Sequence, residues 1–143
     1  MRIIRDDRDK GFHSVPISSQ TVLVGDLLEL TAGATTWAVC TSSTNHFTRK
    51  AIAVSSATSS DTEVDVVELD GSEDVSADSA NTASAADNGD RMALTDKNTV
   101  NNSGTDVTGQ AVAFVQRGIL SNPDTTTIWG NILVGSGVDP DAA

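Results

Sequence analysis

The chain contains no tyrosine, and aromatic residues of any kind make up 3% of its 143 positions. Apolar residues supply 38%. The expected core is thin, built on Val, Ile, Leu and Ala around a few large anchors, and short chains with thin cores lean on partners. Cys40 is the only cysteine, which excludes an intramolecular disulfide and a thiolate metal cluster. It stands in the apolar run Trp37-Ala38-Val39-Cys40, as a buried, inert thiol would. No apolar run reaches 18 residues, so no membrane-spanning helix is expected. Met1-Arg2-Ile3-Ile4 leads into the charged run DDRDK rather than an apolar stretch. No secretory signal is therefore expected, and the chain reads as made in a reducing cytosol.

Catalytic and cofactor signatures are also scarce. His13 and His46 are the only histidines, each beside a phenylalanine. Cys40 and His46 flank one loop without an orienting acid or an oxyanion loop, so they do not make a nucleophile pair. The acidic stretch Asp70-Gly71-Ser72-Glu73-Asp74 offers oxygen ligands but lacks the EF-hand order, and a solvated loop accounts for it better than calcium does. Neither a phosphate-binding loop nor a dinucleotide fingerprint is present. Asn101-Asn102-Ser103 matches a glycosylation sequon that is idle without secretion. No enzyme activity, cofactor or metal is expected.

Acidic charge is plentiful, with a formal net charge of −11. Residues 1–20 hold Arg2, Arg5, Arg8 and Lys10 against Asp6, Asp7 and Asp9, a net of +1, which leaves −12 on the rest. An acidic body repels phosphate backbones and anionic lipid, so neither nucleic acid nor membrane is an expected partner. Gly11 and Pro16 interrupt the opening segment, which reads as an extended arm over residues 1–20 that orders on contact with a partner.

From Thr21 short β-like runs begin: Val22 to Leu30 around Gly25-Asp26, then TTWAVC, KAIAVSS and TEVDVVEL. Residues 70–87 lack Lys and Arg and lack apolar periodicity, so they read as an acidic loop or linker, with at most a short helix over 76–86. The first pattern then resumes with NGDRMALT, a polar, turn-rich stretch KNTVNNSGTD, then VTGQAVAFVQRGIL and TTTIWGNILV, before a Gly- and Pro-broken tail at 136–143. Asp26 aligns with Asp90 at a spacing of 64, AIAV at 51–54 with AVAF at 111–114 at a spacing of 60, and Thr62 with Thr127 at a spacing of 65. Three matching runs in one order predict an all-β body, 21–135, made of two related units at 21–69 and 88–135. In VGDLLEL and NGDRMAL, glycine supplies the positive φ of a tight bend and aspartate bonds the turn backbone.

VGDLLELT, the AIAV strand and TEVDVVEL together resemble the small head decoration (cement) proteins of tailed bacteriophages. The corresponding elements fall at 24–31, 51–54 and 62–69, and again at 89–95, 109–115 and 126–134. The resemblance implies a small β-barrel or β-tulip, a homotrimer on the outside of an expanded capsid, with the major capsid protein as partner. It also implies an N-terminal arm that engages the shell, carried here by Arg2, Ile3, Ile4, Arg5, Arg8, Lys10 and Phe12. Removal of residues 1–16 would then spare the body. Trp37, Phe114 and Trp129 are expected as core anchors or subunit contacts. The competing expectations are a fibre, baseplate or adhesion module that binds glycan or protein, and a hydrolase whose site the sequence hides.

Overall fold

The computed structural model describes residues 1–6, 11–102, 111–120 and 126–135, and almost every regular element in it is a strand. In order these are β1 (Arg2–Arg5), β2 (His13–Pro16), β3 (Leu27–Leu30), β4 (Ala38–Val39), β5 (Arg49–Ala53), β6 (Glu63–Leu69), β7 (Asp74–Ser79), β8 (Arg91–Leu94), β9 (Thr99–Asn101), β10 (Phe114–Ile119) and β11 (Thr127–Ile132). A 3-10 turn, Ala85–Asp87, precedes β8.

Strands β2 to β6 form a sheet in the order β2-β6-β5-β3-β4. A parallel bridge between Ile17 and Trp37 joins its two ends and closes a five-stranded barrel. Alternation then does the sorting: Val15, Leu28, Ala51, Ala53, Val64 and Val66 turn inward with Trp37 and form its core. The second sheet runs β7-β11-β10-β8-β9 and curls until β9 meets β7 in a short parallel pairing, with β1 added on β7.

The two units share one plan. Strands β2, β3, β4, β5 and β6 correspond to β7, β8, β9, β10 and β11, and the correspondence extends to register. Leu28 faces Ala51 as Met92 faces Phe114, and Ile52 faces Val67 as Val115 faces Asn131. Val64 faces Val15 as Ile128 faces Ala77. The closing bridge Ile17–Trp37 recurs as Ser79–Val100. These pairs set the spacing at 62 (Val15 to Ala77), 64 (Leu28 to Met92), 63 (Ala51 to Phe114) and 64 (Val67 to Asn131). The sequence spacings of 60 and 65 for the last two strands are thus corrected. AIAV and AVAF are homologous in pattern but slipped by three residues, because an Ala/Val run has no feature to mark its register.

Three segments differ from the sequence expectation, the shortest being Thr99–Asn101, a three-residue strand inside the polar, turn-rich run 97–106, where Val100 alone is apolar within the strand. Residues 74–79, placed in the acidic loop, form β7, which pairs with β11 along 75–78 and with β1 along 74–76. Only Val75 and Ala77 supply its apolar face, too few for a periodic signal, and its neighbours on both edges satisfy its backbone instead. The opening segment is extended, but it does not stand apart from the body. Its first half is β1, with Ile3 packed on the core, and its second half supplies a stave of the first barrel through Val15 and Ile17. Deleting residues 1–16 would therefore open that barrel.

Large and small residues exchange between the units. Phe114 stands where the first barrel has Ala51, and Gly130 where it has Val66. A Cβ on Gly130 would lie 2.8 Å from the Phe114 ring and 1.9 Å from the Val115 carbonyl, so the glycine is the space the ring uses. The outer face of the first barrel (Leu27, Cys40, Ile52, Leu69) packs into one apolar cluster with Val75, Met92, Leu94, Phe114, Ile128 and Ile132 of the second unit.

Candidate functional site

The Gly-Asp motif is architecture in both copies. Gly25 and Gly89 adopt φ of +93° and +94°. Gly25 N donates to Ala53 O at 2.9 Å and Gly89 N to Gln116 O at 2.7 Å. Asp26 N donates to Leu23 O and Asp90 N to Asp87 O, while Ala53 N and Gln116 N donate to the Asp26 and Asp90 carbonyls. The first copy has an added role. The buried Asp26 carboxylate accepts from Leu23 N at 2.8 Å and pairs with Lys97 Nζ at 2.9 Å, and Leu27 N donates to Lys97 O at 2.8 Å. That turn pins the first barrel to the β8–β9 turn of the second.

The acidic stretch is likewise consumed by structure. Glu73 is buried, and its carboxylate accepts from Asp70 N and Gly71 N, while Asp70 Oδ1 accepts from Ser72 N. Those bonds shape the turn into β7. Among the described residues no group of three His, Cys, Asp or Glu side chains converges as a metal site. Cys40 is buried, and burial followed by the nearby Glu29 charge pushes its thiol well above the usual range. A thiol so held is a poor nucleophile. His46 instead meets Phe47 edge to face, with ring centroids 5.1 Å apart.

Lys50 has no exposed surface, although lysine is among the residues least often buried. It faces Glu29 across the β3–β5 ladder, and its Nζ donates to Asn45 O at 2.6 Å and Thr48 O at 3.2 Å. Desolvation lowers its pKa to about 8, against the raising effect of Cys40 and Glu29. Glu29 in turn accepts from the Thr44 hydroxyl. These groups tie the β3, β4 and β5 ends together and open onto none of the cavities described next.

The arm residues divide. Arg2, Ile3, Ile4 and Arg5 lie on β1, with Ile4 38% exposed. Phe12 is 66% exposed just before β2. Arg8 and Lys10, like the expected tail 136–143, lie outside the described residues. Trp37 is a core anchor of the first barrel, with the Arg49 guanidinium 5.5 Å from its ring. Phe114 is fully buried. Trp129 is half-buried on β11 and covers Gly118, where a Cβ would lie 2.4 Å from its Nε1.

The surface feature that the sequence did not single out is apolar. Leu23, Val24 and Val54 are 53%, 67% and 42% exposed. Val24 and Val54 join Ile3, Ile52 and Val67 around an open cavity of about 300 Å³, with Met1 and Arg2 on its rim. Val24 was legible only as a strand residue, because the turn at Val24-Gly25 that leaves it exposed is read from the fold. No family model, no curated protein and no solved structure matches this chain.

Proposed function

We propose that this chain is a structural protein of a virus particle, one that binds the exterior of an expanded phage capsid and stabilises it by bridging neighbouring major capsid protein subunits. The observation that carries the reading is the apolar surface where the exposed Val24 and Val54 meet Ile3, Ile52 and Val67, with Arg2 of β1 beside it and the exposed Leu23 preceding Val24, on a molecule that is otherwise acidic. Contiguous apolar surface of this kind marks an interaction site, and the acidic remainder keeps the particle exterior from adhering to other anionic bodies. Copies around a three-fold position would present the patch to three neighbouring subunits, and weak contacts would gain by acting together.

The test is co-sedimentation with expanded tailed-phage capsids, whose shell protein a major capsid gene in the neighbouring reading frames would supply. The wild type should pellet with the shells and raise their temperature of disruption. A Val24→Asp, Val54→Asp variant, checked for native strand content by circular dichroism, should lose at least about tenfold in affinity, the scale of removing a hot spot of ~1.4 kcal/mol or more. Full occupancy by that variant, or no binding by the wild type, overturns the reading.

A further inference from the structure

The internal duplication exposes a difference between the units. In the second unit, the edge of β7 not paired with β11 is shared by two strands: β9 takes Asp78 and Ser79, and β1 takes Asp74 to Ser76. The first unit has the counterpart of β9, since Ile17 meets Trp37 there and Trp37 N donates to Pro16 O at 2.8 Å. It has no counterpart of β1 among the described residues. The registers equate Phe12, His13 and Ser14 with Asp74, Val75 and Ser76. Ile17 N donates to Thr62 O on the β6 side, so by alternation the backbone N–H and C=O of Ser14 and Phe12 face away from β6, onto the open edge. Gly11, Phe12, His13 and Ser14 are all exposed.

We propose that the open edge of β2 at Phe12–Ser14 is a docking slot for a short extended segment of a partner protein, basic–aliphatic–aliphatic–basic in sequence, added antiparallel in the register that β1 takes on β7. Three observations select this occupant. The equivalent slot holds Arg2-Ile3-Ile4-Arg5, with Arg2 opposite Ser76 and Arg5 opposite Asp74. The open slot is bordered by acid: Asp65, which accepts from the Ser14 hydroxyl, faces Ser14 on β6, Glu63 lies two residues away, and Asp70 and Glu68, the latter paired with Arg49, line a cavity of about 380 Å³ with Gly11, His13 and Leu69. Phe12 then offers the occupant an apolar contact at the mouth of the slot.

The chain's own β1 is a poor donor, because moving it to β2, in the same molecule or a second copy, vacates the β7 slot one for one. Pairing of two β2 edges would bring two acidic borders together. A strand from a different protein meets neither obstacle, and strand addition of this kind uses main-chain bonds for affinity and side chains for specificity. The inference goes beyond the capsid reading and holds whatever protein supplies the strand.

The probe is a capped peptide with the sequence of residues 1–6, titrated into the isotopically labelled full chain and followed by amide NMR shifts. Saturable shifts at Phe12, Ser14 and Asp65 are expected. They should vanish when the peptide is N-methylated at the residue set opposite Ser14, and weaken several-fold when both arginines are replaced by glutamate. Ser14→Pro, which removes the edge N–H, should abolish them if the variant folds; the methylated peptide makes the same test without altering the protein. Shifts centred on Val75 and Ser76, equal binding by the methylated peptide, no shifts at millimolar peptide, or self-association through the same amides would each overturn the proposal. No capsid is present, so a negative titration leaves the capsid reading standing, and failed capsid binding leaves the slot standing.

Discussion

Lys50 occupies a place in the β3–β5 ladder where its ammonium is shut away from water and is held by two carbonyls, with Glu29 opposite it in the ladder. Burial lowers its pKa from 10.5 to about 8. Between those values the unfolded chain binds the extra proton, so this group makes stability rise as pH goes from 8 to 10.5. Cys40 acts in the opposite sense: its thiol is raised above 9, so above that pH the unfolded chain alone loses the proton and stability falls. A Cys40→Ala background removes the opposing contribution. In it, urea unfolding from pH 7 to 10 should show stability climbing by up to about 3 kcal/mol, and adding Lys50→Met should flatten the climb. Equal slopes with and without Lys50 would show that the ammonium is not desolvated. None of this is legible in KAIAVSS, where lysine reads as a solvated end of a strand. Its ammonium is instead held by the 45–48 segment, whose Asn45 and Thr48 carbonyls accept from it.

At the scale of elements, the paired Gly-Asp turns were legible because their requirements are local: a positive φ, an aspartate on the turn backbone and an apolar residue next. The strands after them were legible too, through period-two alternation. What stayed hidden were β1, β2 and β7, the elements whose pairing partners lie far along the chain, and β9, whose three residues carry one apolar side chain, too few for alternation to show. Arg2-Ile3-Ile4-Arg5 reads as an arm and DVSADS as a loop until β7 and β11 are placed. The two turns are also unequal in a way spacing cannot show. Asp26 is buried against Leu23 N and Lys97, whereas Asp90 is half-exposed. Asp26→Ala strips an acceptor from a backbone donor and leaves Lys97 without its partner, so it should cost about 2–3 kcal/mol. Asp90→Ala should cost less than about 1 kcal/mol. Chemical denaturation of the two variants measures the difference, and equal losses would deny the first turn its role between the units.

On the scale of the whole molecule, the two units are not independent modules, although each repeats the other's strand plan. The first barrel has an interior of its own, but its outer residues Leu27, Cys40, Ile52 and Leu69 are buried only because Val75, Met92, Leu94, Phe114 and their neighbours cover them. The second unit keeps no separate cluster, since its interior and that shared layer are one. Asp26–Lys97 and Leu27–Lys97 add polar bonds across the same boundary. Loss of either unit thus exposes the apolar layer of the other, and the chain should unfold as a single cooperative body. The two tryptophans provide one reporter per unit: Trp37 in the first barrel and Trp129 on β11 of the second. In Trp129→Phe the remaining fluorescence follows the first barrel, and in Trp37→Phe it follows the second. For each variant, the fluorescence midpoint in urea should coincide with its far-ultraviolet circular dichroism midpoint. Ile52→Ala, made in both backgrounds, should lower the two fluorescence midpoints together, by the urea equivalent of the ~2–5 kcal/mol typical of truncating a buried isoleucine to alanine. A first-barrel midpoint that falls while the second stays in place would mean that the shared layer does not couple them, and that the duplicated units fold as two domains.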